Sequence, residues 1–220
     1  MRLSRLALLP LVAAGMAACS RAPAVTAPVP QRRVATADEL AIYRVLTEST
    51  YVRSTGRPIA VLSTSLDSAC GGVTCAPLAE RWGVESTWWA SAADVRRARA
   101  ANDALLRRAA DTVDLHAIGE GHDQIIPITK KDVPLEPNDT RFWGDFQYWH
   151  KGAAGLLRFS PIGFSASGRD AVVFLEWECG PVCGHKMVAA LRADSASQWR
   201  IADMMLLSSR QGPSALVRPN

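Results

Sequence analysis

From Leu156 to Leu207 the sequence alternates apolar and polar residues with a period of two, in runs over 156 to 166, 171 to 179, 186 to 193 and 198 to 207. Ser-Gly, Cys-Gly-Pro and Asp-Ser turns separate the runs. Side chains alternate across a strand, so such runs bury their apolar face only by pairing, and short connections make the pairing antiparallel. The expectation is an α+β fold, an antiparallel sheet of about four C-terminal strands packed with two or three helices.

The helices announce themselves by caps and by period. Thr36-Ala37-Asp38-Glu39 has the spacing of a capping box, and Leu40, Tyr43, Leu46 and Tyr51 follow at helical intervals, which predicts a helix over 38–52. A β-rich run from Pro58 to Thr64 comes next. Ser91-Ala92-Ala93-Asp94 is a second capping box, and Val95, Ala98, Asn102, Leu105 and Ala109 form a seam down a helix over 92–110. The other side of this helix carries Arg96, Arg97, Arg99, Arg107 and Arg108 over about half its circumference. A solvated outer face is the ordinary reading of these arginines; contact with anionic lipid or lipopolysaccharide phosphate is the functional one. Between Leu115 and Pro137 the pattern gives one or two irregular strands. Phe142, Phe146 and Trp149, spaced i, i+4, i+7, predict a short amphipathic helix.

A chain of 220 residues, 48% hydrophobic and 21% charged, can bury one substantial core and is not a disordered chain. Its formal charge of +4, from 25 Lys+Arg against 21 Asp+Glu, falls to +2 without Arg2 and Arg5 and is too weak to imply nucleic acid.

Those two arginines open a leader. Met1 to Arg5 is short and basic, Leu6 to Ala18 is an apolar run of 13 residues, and Cys19 follows. The run is short of the ~20 residues that span a bilayer and suits the apolar region of an export signal. Met16-Ala17-Ala18-Cys19 resembles the lipobox of bacterial lipoproteins, with Met16 in place of the usual Leu. The resemblance implies diacylglycerol on the Cys19 thiol, cleavage before it and acylation of the new amino group, and Ser20 resembles sorting to the outer membrane. Anchoring by several acyl chains is stable. The resulting organisation is a signal peptide over 1–18, a lipidated Cys19 with a Pro-rich tether over 19–36, one α+β domain over 37–207 and a loose tail over 208–220.

A second resemblance covers residues 140 to 203. Phe142-Trp143, Phe146, Phe159-Ser160, Gly163-Phe164, Ala171-Val172-Val173, Cys179-Gly180-x-x-Cys183-Gly184, Leu191 and Trp199-Arg200 together look like the C-terminal half of an uncharacterised group of bacterial secreted proteins and lipoproteins. It implies secretion and an α+β fold, and no activity.

Setting Cys19 aside leaves four cysteines in two close pairs, Cys70/Cys75 and Cys179/Cys183. In an oxidising periplasm such pairs become disulfides, and local pairing closes each short turn. Two alternatives are a four-thiolate zinc site and a copper site in which Cys179-x3-Cys183 and His185 resemble copper-assembly proteins. The C-x3-C of that family leads into a helix, whereas Lys186 to Leu191 reads as a strand.

His116-Ala-Ile-Gly-Glu120-Gly-His122-Asp123 is the densest polar cluster. In an extended chain His116, Glu120 and His122 would share one face and could serve a hydrolase; a Gly-broken polar loop is the plainer reading. In the run 171–179, Glu176 and Glu178 fall opposite Val173, Leu175 and Trp177, ~6.5 Å apart and near a glycosidase spacing. The simpler account is a wet face on which Lys186 pairs with Glu178 across a hairpin. Of the seven Trp, Trp88 and Trp89 cannot share a face; an exposed ring could stack on a sugar, and packing under the long loop is the plainer reading. The pattern contains no complete catalytic set and implies no cofactor. It favours an envelope lipoprotein that binds a protein or glycan partner, the alternative being a periplasmic enzyme built on the His116 cluster or on Cys179 and Cys183.

Overall fold

Thr36 caps helix α1 (Ala37–Leu46) as its spacing predicts: its hydroxyl accepts from the Glu39 amide, and the Glu39 carboxylate accepts from the Thr36 amide. The helix runs on through a π-helical segment, Thr47–Val52, and a last turn, Arg53–Thr55. It stops at Gly56, whose φ of 63° is left-handed. The structure is a computed structural model that describes residues 32–66, 92–133, 137, 139 and 141–211. The leader, Cys19, Cys70, Cys75, Trp82, Trp88, Trp89 and Ser91 of the second capping box lie outside the described residues.

The C-terminal meander forms as the alternation predicts. Strands β7 (Asp170–Gly180), β8 (Cys183–Ala193) and β9 (Trp199–Gln211) pair antiparallel in sequence order. The run 156–166 divides into β5 (Leu156–Phe159) and β6 (Gly163–Phe164), both antiparallel to β7. The break falls at Pro161, which has no amide hydrogen for a ladder. There the Ser160 hydroxyl accepts from the Phe174 amide at 2.9 Å.

Two expectations are corrected at the edges of the domain. Arg32–Val34, placed in the tether, is strand β1 and pairs in parallel with β3 (Thr112–Asp114). Ser208 to Gln211, placed in the loose tail, continue β9 and pair with Cys183 to Lys186.

A third correction concerns the sheet, which is mixed. β2 (Ile59–Leu62) lies between β4 (Ile125–Ile128) and β5, parallel to both, so seven strands form one sheet in the order β4-β2-β5-β7-β8-β9 with β6 beside β7. All four β2 residues are apolar and buried, as befits a parallel strand covered on both faces. Pro127 sits in β4, at the end of that order, where a missing amide is tolerated.

The sheet is sandwiched. On one face Ile42, Tyr43, Leu46 and Tyr51 from α1 and its extension meet Val61, Phe159, Leu175 and Trp177. The Tyr43 hydroxyl, wholly buried, donates to the Ser160 carbonyl at 2.9 Å. The other face is covered by two helices over different parts of the sheet. Ala98, Ala101 and Leu105 of α2 (Ala92–Arg107) cover Val172, Val188 and Ala190. Phe142, Trp143 and Phe146 of α3 (Phe142–Trp149) cover Ala60, Leu62 and Leu156. Trp149, expected in the buried seam of α3, is 69% exposed. Trp143 is buried instead, its indole donating to the Pro137 carbonyl at 3.0 Å.

Candidate functional site

The β7–β8 hairpin closes tightly. Gly180 pairs with Cys183, and a register shift between Glu178 and Gly180 leaves Cys179 as the irregular residue. Cys179 and Cys183 are joined as a disulfide across this turn, with Cα atoms 5.1 Å apart, as local pairing predicts. In the disulfide neither sulfur is a free thiolate to ligate a metal. Among the described residues no group of three or more His, Cys, Asp and Glu is placed to hold a metal.

The tight turn corrects the register expected for the carboxylates. Lys186 stands opposite Glu176, and Gly184 opposite Glu178. Their face is also dry: Glu176 is 3% and Glu178 7% exposed. Both oxygens of Glu176 are paired, Oε2 with Arg158 at 2.7 Å and Oε1 with Lys186 at 2.9 Å. Glu178 is held by Arg210 and lies 3.8 Å from Arg158. A Cβ at Gly184 would come within 2.6 Å of the Glu178 carboxylate, so the glycine makes room for it. Burial raises the Glu178 carboxyl above its ordinary range, opposed by Arg210 and Arg158 and assisted by Glu176. Two acids surrounded by three cations form a buried charge network across β5, β7, β8 and β9.

The His116 cluster does not form as expected either. His116–Gly119 is a 3₁₀ turn, so the period-two argument that aligned His116, Glu120 and His122 fails. His116 and Glu120 are exposed. The Arg44 guanidinium gathers the carbonyls of Ala117, Ile118 and Glu120 at 2.6, 2.9 and 3.3 Å, and His122 Nδ1 pairs with Glu48 on the π-helical segment. The cluster is therefore a loop pinned to α1.

A different constellation was not singled out by the sequence pattern. At the start of β7, Asp170 is 7% exposed and faces Arg192 across the β7–β8 ladder. Its Oδ1 accepts from Arg192 Nε at 2.9 Å, and its Oδ2 lies 3.4 Å from Arg97 Nε on α2. Arg169, on the turn that Gly168 makes with a φ of 68°, donates to the Ala193 carbonyl at 3.3 Å. Arg97, Ser167, Arg169, Asp170, Arg192 and Ala193 line a cavity of about 260 Å³. These partners are separated by up to 96 positions, so only the fold brings them together; the visible signal was the arginine excess on α2. Of those arginines, Arg96, Arg99 and Arg107 are exposed as expected, while Arg108 donates to the Ile162 carbonyl at 2.7 Å and pairs with Glu39 at 3.2 Å.

An exposed aromatic pair closes α3. Tyr148 and Trp149 are 65% and 69% exposed, meet edge to face at 4.9 Å, and have Lys151 Nζ 6.0 Å from the Tyr148 ring centre.

No family model, no curated protein and no solved structure matches this chain, so the reading of its sites rests on its own residues.

Proposed function

We propose that this chain is a cell-envelope lipoprotein, anchored through Cys19 in the outer membrane and facing the periplasm, that acts as a non-enzymatic binding or structural module. The observation that carries the second half is the state of its acids. Glu176 and Glu178, the two carboxylates of β7 near a glycosidase spacing, are buried among Arg158, Lys186 and Arg210 and link β5, β7, β8 and β9. The first half is supported by the lipobox residues and by the Cys179–Cys183 disulfide, which suits an oxidising compartment. The exposed Tyr148 and Trp149 offer a glycan or protein partner an aromatic contact.

Cys19→Ser tests the anchor. The modifying chemistry needs the thiol, so the variant is expected to accumulate as the full-length precursor, while the parent chain begins at Cys19 with the mass of its acyl groups. Intact-mass measurement of both chains from the membrane fraction decides it. A variant cut at the same place and still carrying lipid would refute the anchor.

A further inference from the structure

We propose that the exposed corner at the C-terminal end of α3, made by Asp145, Tyr148 and Trp149, is a subsite for one pyranose ring of an uncharged glycan. The proposal rests on the reading of the chain as a binding module and names the chemistry of its partner. Exposure is the first observation. Tyr148 and Trp149 are 65% and 69% exposed, whereas every other Phe, Tyr and Trp among the described residues is buried or half-buried. Rigidity is the second. Phe142, Trp143 and Phe146 fasten the same helix to the sheet. Beyond the pair, the His150 ring lies 5.2 Å from the Phe146 ring, and Arg57 donates to the Gly152 and Ala153 carbonyls at 3.0 Å, which fixes the turn that carries Lys151. Rings held in place before a ligand arrives lose little freedom on binding.

Geometry and charge select the occupant. The planes of Tyr148 and Trp149 stand at 90° with centroids 4.9 Å apart, so they form a corner rather than a flat platform. A sugar ring lying on one plane meets the edge of the other. Its axial C–H bonds carry the partial positive charge that the negative face of an aromatic ring attracts. Asp145 precedes Tyr148 by three residues and Trp149 by four, which places all three on one exposed side of α3. Gly144 leaves the approach open, since even a Cβ there would meet nothing within 4 Å. Among the described residues no salt bridge or side-chain hydrogen bond engages the Asp145 carboxylate. A partner that covered the rings with apolar side chains or acyl chains would bury that carboxylate without compensation. Sugar hydroxyls supply it, because an ionised carboxylate accepts from two of them at once. Asp145 and the exposed Lys151, whose Nζ lies 6.0 Å from the Tyr148 ring centre, cancel in charge, so the patch calls for no ionic ligand.

The test is ligand-observed saturation-transfer NMR of the purified full-length chain titrated with tri-N-acetylchitotriose, an uncharged trisaccharide whose β-linked rings carry equatorial substituents. Trp149→Ala, Asp145→Asn and Val182→Ala are run beside the parent. All three positions are exposed, so no variant opens the core, and Val182, 58% exposed at the β7–β8 turn, is the apolar control. The parent is expected to bind saturably and to transfer saturation most strongly to the ring C–H protons of the sugar. Trp149→Ala should weaken binding tenfold or more and Asp145→Asn severalfold, while Val182→Ala leaves it unchanged. Cleavage of the trisaccharide with the same dependence on Trp149 would support the subsite and refute the non-enzymatic reading. No transfer in the parent, or parental affinity in Trp149→Ala or Asp145→Asn, would overturn the subsite and leave the binding-module reading to a protein partner.

Discussion

His150 closes α3, its amide donating to the Phe146 carbonyl at 2.8 Å and its ring lying 5.2 Å from the Phe146 ring. Its Nε2 is buried with no hydrogen-bond partner among the described residues. Burial lowers the imidazole below its ordinary value of 6.5, with Asp132 pulling weakly the other way. The folded chain thus favours the neutral ring. Above pH 6.5 the ring is neutral in both states; as pH falls through and below 6.5 the unfolded chain takes up the proton first, and stability is lost until the folded ring also protonates. His150→Phe keeps the packing on Phe146 and removes the titration. Urea denaturation at pH 7.5 and pH 5 should show the parent losing more stability than the variant on acidification, and equal losses would refute the assignment. At this scale the sequence was legible where the partner is near. Thr36 and Glu39 stand three apart, and their reciprocal cap formed as read. The further task of Glu39, gathering Arg33 and Arg108, was not legible because Arg108 is 69 residues away.

Among the elements, the β7–β8 hairpin carries a covalent clasp whose contribution can be stated. A disulfide that closes so short a loop removes little freedom from the unfolded chain, about 2 kcal/mol by the chain-entropy argument. The double variant Cys179→Ser with Cys183→Ser should therefore lower the unfolding free energy by about that much while keeping the meander, since 11-residue strands on either side supply the pairing. Chemical denaturation read by circular dichroism checks it; an unchanged midpoint, or loss of the strand signal in water, would contradict it. The elements readable in advance were those with a sustained period: α1, the seam of α2 through Ala98, Asn102 and Leu105, and the strands of the meander. β2 as a parallel central strand was hidden, because four apolar residues in a row show burial on both faces and say nothing of which neighbours supply it. The 3₁₀ turn at His116 was hidden for the opposite reason: its polar and Gly residues fit many backbones, and Arg44, which selects one, lies 73 residues away from Ala117.

The molecule as a whole depends on how closely α2 can approach the sheet, and Gly163 sets that distance. A Cβ there would lie 2.0 Å from the Ala101 carbonyl oxygen, 2.3 Å from the Leu105 nitrogen and 2.7 Å from the Leu105 Cα. All three are backbone atoms, so no rotamer change relieves the clash; the helix or β6 must move. Overpacking of this kind costs about 1–3 kcal/mol, and Gly163→Ala should destabilise the protein by that order. The displacement also has a direction with consequences, since Arg97 lies one turn before Ala101 on the same helix and reaches Asp170 across the same gap. Lifting α2 would lengthen the 3.4 Å contact between Arg97 and Asp170. Thermal unfolding of the variant beside the parent measures the cost. Parental stability would show that the helix is free to shift without cost.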